Sequence, residues 1–272
     1  CFMHFKPKGD KSNDNIDKME LHINNNEIEE VSETKFLGVT LDNELSWDVH
    51  INTLAKKLKC CTGQLNRICN FIPKDLFSGL YHTLYESHLC YGITVWGGIP
   101  VHKLRPLFIS QKHCIRVMFG NKELYLEKFK TSVRTRPYQS QQLGQEFFKK
   151  EHTKPIFNDN HIMTIHNLYN YQLLNCTYKI LKFRTPIAIY SCFNLSNRKE
   201  TLLHLPKRAS HNFVYSASSL WNKFLSCEDG SLVRTFSVGL GCVKSKIKEL
   251  ILRRQKMGDK IEWHDDINFR LL

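Results

Sequence analysis

Chemical signatures are scarce in this chain. It has no G-x-x-x-x-G-K or G-x-G-x-x-G loop to cradle phosphates, and no G-x-S-x-G elbow to raise a nucleophilic serine. Two-metal nucleotidyl transfer needs carboxylates that hold metal ions against phosphates. The only adjacent aspartates are Asp265-Asp266, with no apolar hairpin around them, so they read as a solvated acidic turn. No apolar run is long enough to span a bilayer, and no signal-peptide pattern is found. None of the ten cysteines forms C-x-x-C, and Cys60 and Cys61 are adjacent, a poor start for a disulfide framework. Most of them sit inside apolar helical patterns, where a free thiol acts as a small hydrophobe. The expectation is a reducing, intracellular setting (nucleus or cytoplasm), without membrane or secretion. The sequons at Asn175–Thr177 and Asn194–Ser196 are then accidental. The first residues, with Phe2, Met3 and Phe5, read as the middle of a strand, as in a piece of a longer product.

Acidic residues are also unevenly withheld. Residues 1–48 hold five Lys/Arg and eleven Asp/Glu, whereas residues 49–122 hold ten basic and two acidic residues. Between Asp48 and Asp75 there is no acid at all. With an overall net charge of +13, this asymmetry favours a polyanionic partner for everything after residue 48. The other reading is an ordinary basic, solvated surface. Apolar residues make up 42% of the 272 residues, which supports a packed core and excludes global disorder.

Periodicity predicts a mainly α protein with a small N-terminal antiparallel β element. Residues 6–18 read as a polar loop. Leu21, Ile23 and Ile28 flank Asn24-Asn25-Asn26, a hairpin turn signal. Lys35 to Leu41 reads as one strand interrupted by Gly38, which marks either close approach of another group or a bulge without function. Ser46 is the expected N-cap of a helix running to about Ile72. Its apolar seam is Trp47, Ile51, Leu54, Leu58, Cys61, Leu65, Ile68 and Ile72, in steps of 4 and 3. Lys56, Lys59 and Arg67 fall away from that seam and Lys57 flanks it. An all-positive outer face forgoes i,i+4 ion pairs, which favours phosphate contact over plain solvation.

After Pro73, Asp75 is the expected cap of a helix with Leu76, Leu80, Leu84 and His88 along one side, closed by a loop or short strand at Tyr91–Gly98. A third helix is predicted over Val101–Phe119, with Leu104, Leu107/Phe108, Gln111, Ile115 and Met118 inward. Pro106 there is tolerable only near the first turn, and Gly120 suits the C′ position. Residues 121–160 are less periodic. Arg134, Arg136, Lys149, Lys150 and Lys154 alternate there with Tyr138, Phe147 and Phe148, either to hold a single strand or to anchor the loop. Further helices are expected over His161–Phe183, Ser216–Phe224 and Cys242–Lys256. Among metal-ligand types, His82, His88 and Cys90 lie close together and His113-Cys114 follow, but the spacing fits neither a zinc finger nor a knuckle. Packing between helices is the expectation for these cysteines.

Lys35 to Ile51 reads Lys-Phe-Leu-Gly-Val-Thr-Leu-Asp-Asn-Glu-Leu-Ser-Trp-Asp-Val-His-Ile. This block resembles the segment after the catalytic core in reverse transcriptases of non-LTR (LINE-type, Jockey-like) retrotransposons. Cys1-Phe-Met-His-Phe looks like the end of the family's lysine-containing strand. Phe36-Leu37-Gly38 matches its primer-grip hairpin, and Leu45-Ser-Trp47 with His50-Ile51 the start of its thumb. Leu80-Tyr81, Leu84-Tyr85, Leu89 to Tyr91, Val95-Trp96-Gly97 and the stretch Leu104, Leu107, Gln111-Lys112, Ile115-Arg116 continue in the family's order. The match covers residues 1–120; the remainder resembles the family's C-terminal extension.

The resemblance implies the end of a palm with primer-grip hairpins over 1–48, a helical thumb-like bundle over 49–120 and a basic, mostly helical extension over 121–272. Phe36, Leu37 and Gly38 would hold the primer end, and Lys56, Lys57, Lys59 and Arg67 the backbone of an RNA/DNA template–primer. The palm would be a partner, and its aspartates, with the Mg²⁺ of the intact enzyme, lie outside this sequence. No catalytic or metal residue and no cofactor is expected within it. The alternatives are a non-catalytic nucleic-acid-binding remnant, a protein-interaction remnant and a decayed element copy.

Overall fold

The structure is a computed structural model and is described for residues 1–5, 20–120, 153–196, 199–205, 213–226 and 239–257. It is mainly helical, with three short antiparallel hairpins. The chain forms two compact units, Cys1–Lys57 and Leu58–Leu272. The expected divisions at 48/49 and 120/121 follow roles along the chain; the first unit instead ends inside a helix.

In the first unit, β1 (Leu21–Ile23) pairs with β2 (Asn26–Ile28) around Asn24 and Asn25, both with positive φ (52° and 63°). A two-residue turn of this hand matches the twist of its strands, and asparagine tolerates it. The expected strand at the start is a single parallel bridge: Phe2 N–H donates to Glu29 C=O and Val31 N–H to Phe2 C=O, both at 2.9 Å. Lys35–Leu41 is not one strand. β3 (Glu33–Phe36) and β4 (Val39–Asp42) are antiparallel, with Phe36 opposite Val39 and Leu37-Gly38 as the turn. Gly38 (φ 80°) is therefore a turn residue, neither a bulge nor mid-strand.

Helix α1 (Asp48–Ile68) crosses into the second unit. Its buried face is Ile51, Leu54, Ala55, Leu58, Cys61, Thr62, Leu65 and then Cys69. It ends four residues before the expected Ile72, because Pro73 forces an extended residue before it and the chain unwinds through a Phe71 N–H to Ile68 C=O bond. Residues 74–90 form one irregular helix, α2: a 3₁₀ turn at Lys74–Leu76, α at Phe77–Leu80, π at Tyr81–Glu86 and α at Ser87–Cys90. Pro73 stands at its cap, and Asp75 lies in the first turn, where a carboxylate suits the helix dipole.

The inner side of α2 is Phe77, Tyr81, Tyr85 and Leu89; Leu76 and Leu84 are exposed, contrary to the expected seam. Steps of four drift by about 40° each on an α-helix. The π segment widens the turn and offsets that drift, so Tyr81 and Tyr85 stack at 5.4 Å on one face. Their larger apolar area outweighs that of the leucines, and both hydroxyls find partners inside.

A single helical turn, α3 (Ile93–Trp96), replaces the loop or strand expected there, and Gly92 (φ 63°) opens it. A Cβ on Gly97 would meet Ile93 O at 2.5 Å and the Tyr169 ring at 2.6 Å, so only glycine lets that tyrosine pack. Helix α4 (Val101–Phe119) has the expected bounds and carries Pro106 in its interior, on an exposed position where the His102 carbonyl it orphans is near water. Gly120 is extended rather than left-handed; a Cβ there would lie 2.3 Å from Arg116 O.

Then come α5 (Lys154–Asp159), α6 (Ile165–Phe183), α7 (Ile187–Tyr190), the β5–β6 hairpin (Leu195–Ser196 with Lys199–Leu203), α8 (Phe213–Ser226) and α9 (Leu240–Met257). Helix α6 is the hub: α2, α3, α4, α7, α8 and α9 all pack on it. It is buried on nearly every side, including Asn175 and Thr177, so a glycan at the first sequon has no place. The fully buried Trp96, Trp221, Tyr81, Tyr85 and Tyr178 anchor this core, each aromatic contributing on the order of 2 kcal/mol.

The hub begins at Ile165, not at the expected His161. Residues Ile162 to Thr164 are non-helical yet Ile162 and Met163 are buried, so their backbone groups need partners. Two glutamines supply them. Gln111 of α4 donates to Met163 C=O and accepts from Ile165 N–H, both at 2.9 Å, and its second amide hydrogen serves Tyr81 Oη at 2.9 Å. Gln255 of α9 donates to Ile162 C=O at 2.8 Å and accepts from Thr164 N–H at 3.2 Å and Asn167 Nδ2 at 2.7 Å. Asn222 of α8 does the same for β6, bonding both Leu203 N–H (2.9 Å) and Leu203 C=O (2.8 Å). Replacing Gln111 by Leu strands the Met163 carbonyl and the Ile165 amide in the core. Urea denaturation is expected to show a loss of about 3 kcal/mol or more, larger than for Leu104→Met on the same helix.

Candidate nucleic-acid interface

The end of strand β4 and helix α1 are joined by five residues that one carboxylate organises. Asp42, at the end of β4, is 8% exposed. Its Oδ1 accepts from Glu44 N–H (3.2 Å) and Ser46 N–H (2.7 Å), and its Oδ2 from Trp47 N–H (2.9 Å). The first helical bond runs from Ile51 N–H to Trp47 C=O. Asp42 thus holds much of the entry that was expected of Ser46, whose own hydroxyl accepts a long 3.4 Å bond from Asp48 N–H. Leu45 (φ 51°) and Trp47 (φ 65°) both sit in the left-handed region. For side chains of this size that conformation costs about 1–2 kcal/mol each, which the charge-assisted bonds to Asp42 offset.

His50, one turn into α1, accepts a 3.4 Å bond at Nδ1 from Thr40 N–H on β4. Burial holds its pKa below the ordinary histidine value, so the ring is neutral and able to accept. Asp42 and His50 therefore lock the β3–β4 hairpin to the start of the basic helix. At the hairpin tip, Phe36 is 62% and Leu37 75% exposed, and Gly38 is exposed between them and β4.

On α1, Lys56, Lys57, Lys59 and Arg67 are all exposed. At about 100° per residue, Lys56, Lys59, Cys60, Gly63 and Arg67 fall in one stripe opposite the buried face, with Lys57 at its flank. A Cβ on Gly63 would meet nothing within 4 Å, so packing does not require glycine in the middle of that stripe. It leaves a flat place where a sugar–phosphate chain can approach the helix closely. The sequence reading named the cations; it missed Asp42 and Gly63, although an aspartate directly after a strand and before Asn-Glu is a turn signal.

The histidine and cysteine candidates separate. His82 pairs with Glu86 one turn on (3.1 Å), Cys90 bonds Gln172, and burial pushes the Cys90 thiol up to about 11. Cys114 lies buried near Cys61, Thr62 and Cys69 with its thiol raised to about 12, chiefly by burial. Among the described residues no group of three or more His, Cys, Asp or Glu could hold a metal ion. Asp265-Asp266 and, within 121–160, Arg134, Arg136, Tyr138, Phe147, Phe148, Lys149 and Lys150 lie outside the described residues, and Lys154 is exposed at the start of α5. No described helix is long and apolar enough to cross a membrane. No family model, curated protein or solved structure matches this chain.

The His50 pKa is lowered in the fold, so the unfolded chain takes up a proton first as pH falls through the ordinary value near 6.5. The stability contributed by this histidine is complete above that pH and is lost as pH falls from there towards the folded-state pKa. Thermal melts at pH 7.5 and 5.5 are expected to show this drop, and His50→Gln, which keeps an acceptor that cannot protonate there, to reduce it.

Proposed function

We propose that this chain is the template–primer-handling, C-terminal portion of a retrotransposon RNA-directed DNA polymerase of the non-LTR type. In this reading the β3–β4 hairpin and its link to α1 form the edge of the palm and the primer grip. The helices of 49–120 form the thumb, and the palm that carries the metal-binding aspartates is a separate part of the enzyme. The observation that supports it best is the outer face of α1: four exposed cations with no acid between Asp48 and Asp75. It directly follows a hairpin whose tip exposes Phe36 and Leu37. Phosphate contacts of this kind set affinity and register without reading bases. Phe36, Leu37 and Gly38 would support the 3′ end of the primer, while Lys56, Lys57, Lys59 and Arg67 follow the backbone.

Among the described residues no acidic cluster could hold the metal ions of two-metal transfer, and template-dependent primer extension by this chain with Mg²⁺ is expected to be nil. Binding to an RNA–DNA hybrid should fall steeply with salt. Lys56→Gln/Lys57→Gln/Lys59→Gln/Arg67→Gln should lower the slope of log affinity against log salt by roughly 3.6, near 0.9 per lost contact. A salt-independent, negligible affinity of the wild-type chain would remove this reading.

A second reading, a protein-interaction remnant, is favoured by one observation. Helix α7 has no buried residue; its Ile187 (77%) and Phe183 (55%) at the end of α6 are widely exposed. Size-exclusion chromatography with light scattering separates the two: concentration-dependent association abolished by Ile187→Asp supports interaction, and a monomer at all concentrations opposes it.

A further inference from the structure

Helix α4 carries a second line of cations that the reading above does not use. Arg105, Lys112 and Arg116 are spaced by seven and four residues, which confines them to roughly 40° of the helix circumference over about 16 Å. The helix has no acidic residue between Val101 and Phe119. Cys114, on the opposite side, is buried near Cys61 and Thr62 of α1 and Cys69 just after it. The α4 cations therefore face away from that part of α1, and the α1 stripe faces away from α4.

Lys112 is held in place. Its ammonium lies 4.5 Å from the centre of the Phe108 ring, which is itself packed against Phe157 and His166. The side chain is half-buried, and burial together with the nearby Arg116 and Arg105 disfavours its charged form. Like charges lined along one helix face, with Lys112 pre-positioned over Phe108, make that face attractive to a polyanion. Exposed Arg105 and Ile109, 51% exposed between the cations, leave that side open to a ligand. A phosphodiester suits it: its two free oxygens can take a guanidinium fork and an ammonium together.

We propose that Arg105, Lys112 and Arg116 form a second phosphate-backbone contact site, separate from the α1 face. It rests on the reading that the chain handles nucleic acid but uses none of the same residues. The intact chain would then hold nucleic-acid backbone at two places. Arginines and a lysine spaced along one helix face would follow successive phosphates of a single strand or one strand of a duplex.

The test uses the intact chain and a fluorescein-labelled RNA–DNA hybrid, with anisotropy titrations over a range of NaCl. Arg105→Gln/Lys112→Gln is expected to lower the slope of log affinity against log salt by about 2, with circular dichroism unchanged. Lys112→Arg should keep the wild-type slope. If the α4 variant keeps the full slope while the α1 variant loses its share, the second site is refuted and the functional reading stands. If the α4 variant loses slope and the α1 variant does not, the second site stands and the α1 assignment falls. Salt-insensitive, negligible binding by the wild-type chain refutes both. Should the double variant fail to fold, Arg105→Gln alone, at an exposed position, decides by a drop of about 1 or by none.

Discussion

Where the central helix begins is settled by two glutamine side chains. Residues Ile162 to Ile165 present four backbone polar groups in a buried, non-helical segment, and Gln111 and Gln255 take all four. An unpaired buried amide or carbonyl costs about 1–3 kcal/mol, so this segment is tolerable only where both glutamines reach it. Helices α4 and α9 are thereby tied to the start of α6, and α6 is the element on which most of the other helices of the second unit pack. Gln111 also accounts for the buried Tyr81 hydroxyl, whose pKa burial drives far above the phenol range. The π turn of α2 brings that tyrosine to the same face as Tyr85, which bonds Ser110 at 3.1 Å. A neutral amide can do this because it donates and accepts at once; a carboxylate or a hydrocarbon in its place leaves partners unmet.

The first unit solves a related problem with a charge. Leu37, Leu45 and Trp47, three side chains that disfavour positive φ, all adopt it within eleven residues. Such strain survives only where the surroundings over-determine it. The Asp42 carboxylate and the neutral His50 ring supply that constraint, fixing the exposed hairpin tip against the first turn of α1. The stretch that suggested the family is thus also the most strained part of the described backbone. This geometry is independent of the resemblance and compatible with a positioning role.

Charge and packing divide the basic helices cleanly. On α1 and on α4 the buried side chains are apolar or neutral polar, and the cations are left off the buried face. Helix α9 differs, since one of its arginines, Arg253, pairs with Glu249 at 3.0 Å. The acid-free faces of α1 and α4 have no such internal neutralisation within their own helices, and a polyanion is the partner their chemistry fits.

Much of this was legible before any coordinates. The 4-and-3 spacing of apolar residues located α1, the bounds of α4 and the existence of α6, α8 and α9, because burying one face of a helix leaves a 3.6-residue imprint. Asn24-Asn25 announced its hairpin through local turn chemistry. The cations of α1 were legible as an outer face by the same periodicity. Other features depended on partners distant in sequence. Which side of α2 is buried turned on hydroxyl partners in α4 and on a π turn, and the start of α6 on glutamines from two other helices. The β5–β6 hairpin is held by Asn222 of α8. Local propensity and periodicity act over a few residues and can be read along the chain; satisfying a buried polar group is a long-range condition that only the packed fold decides.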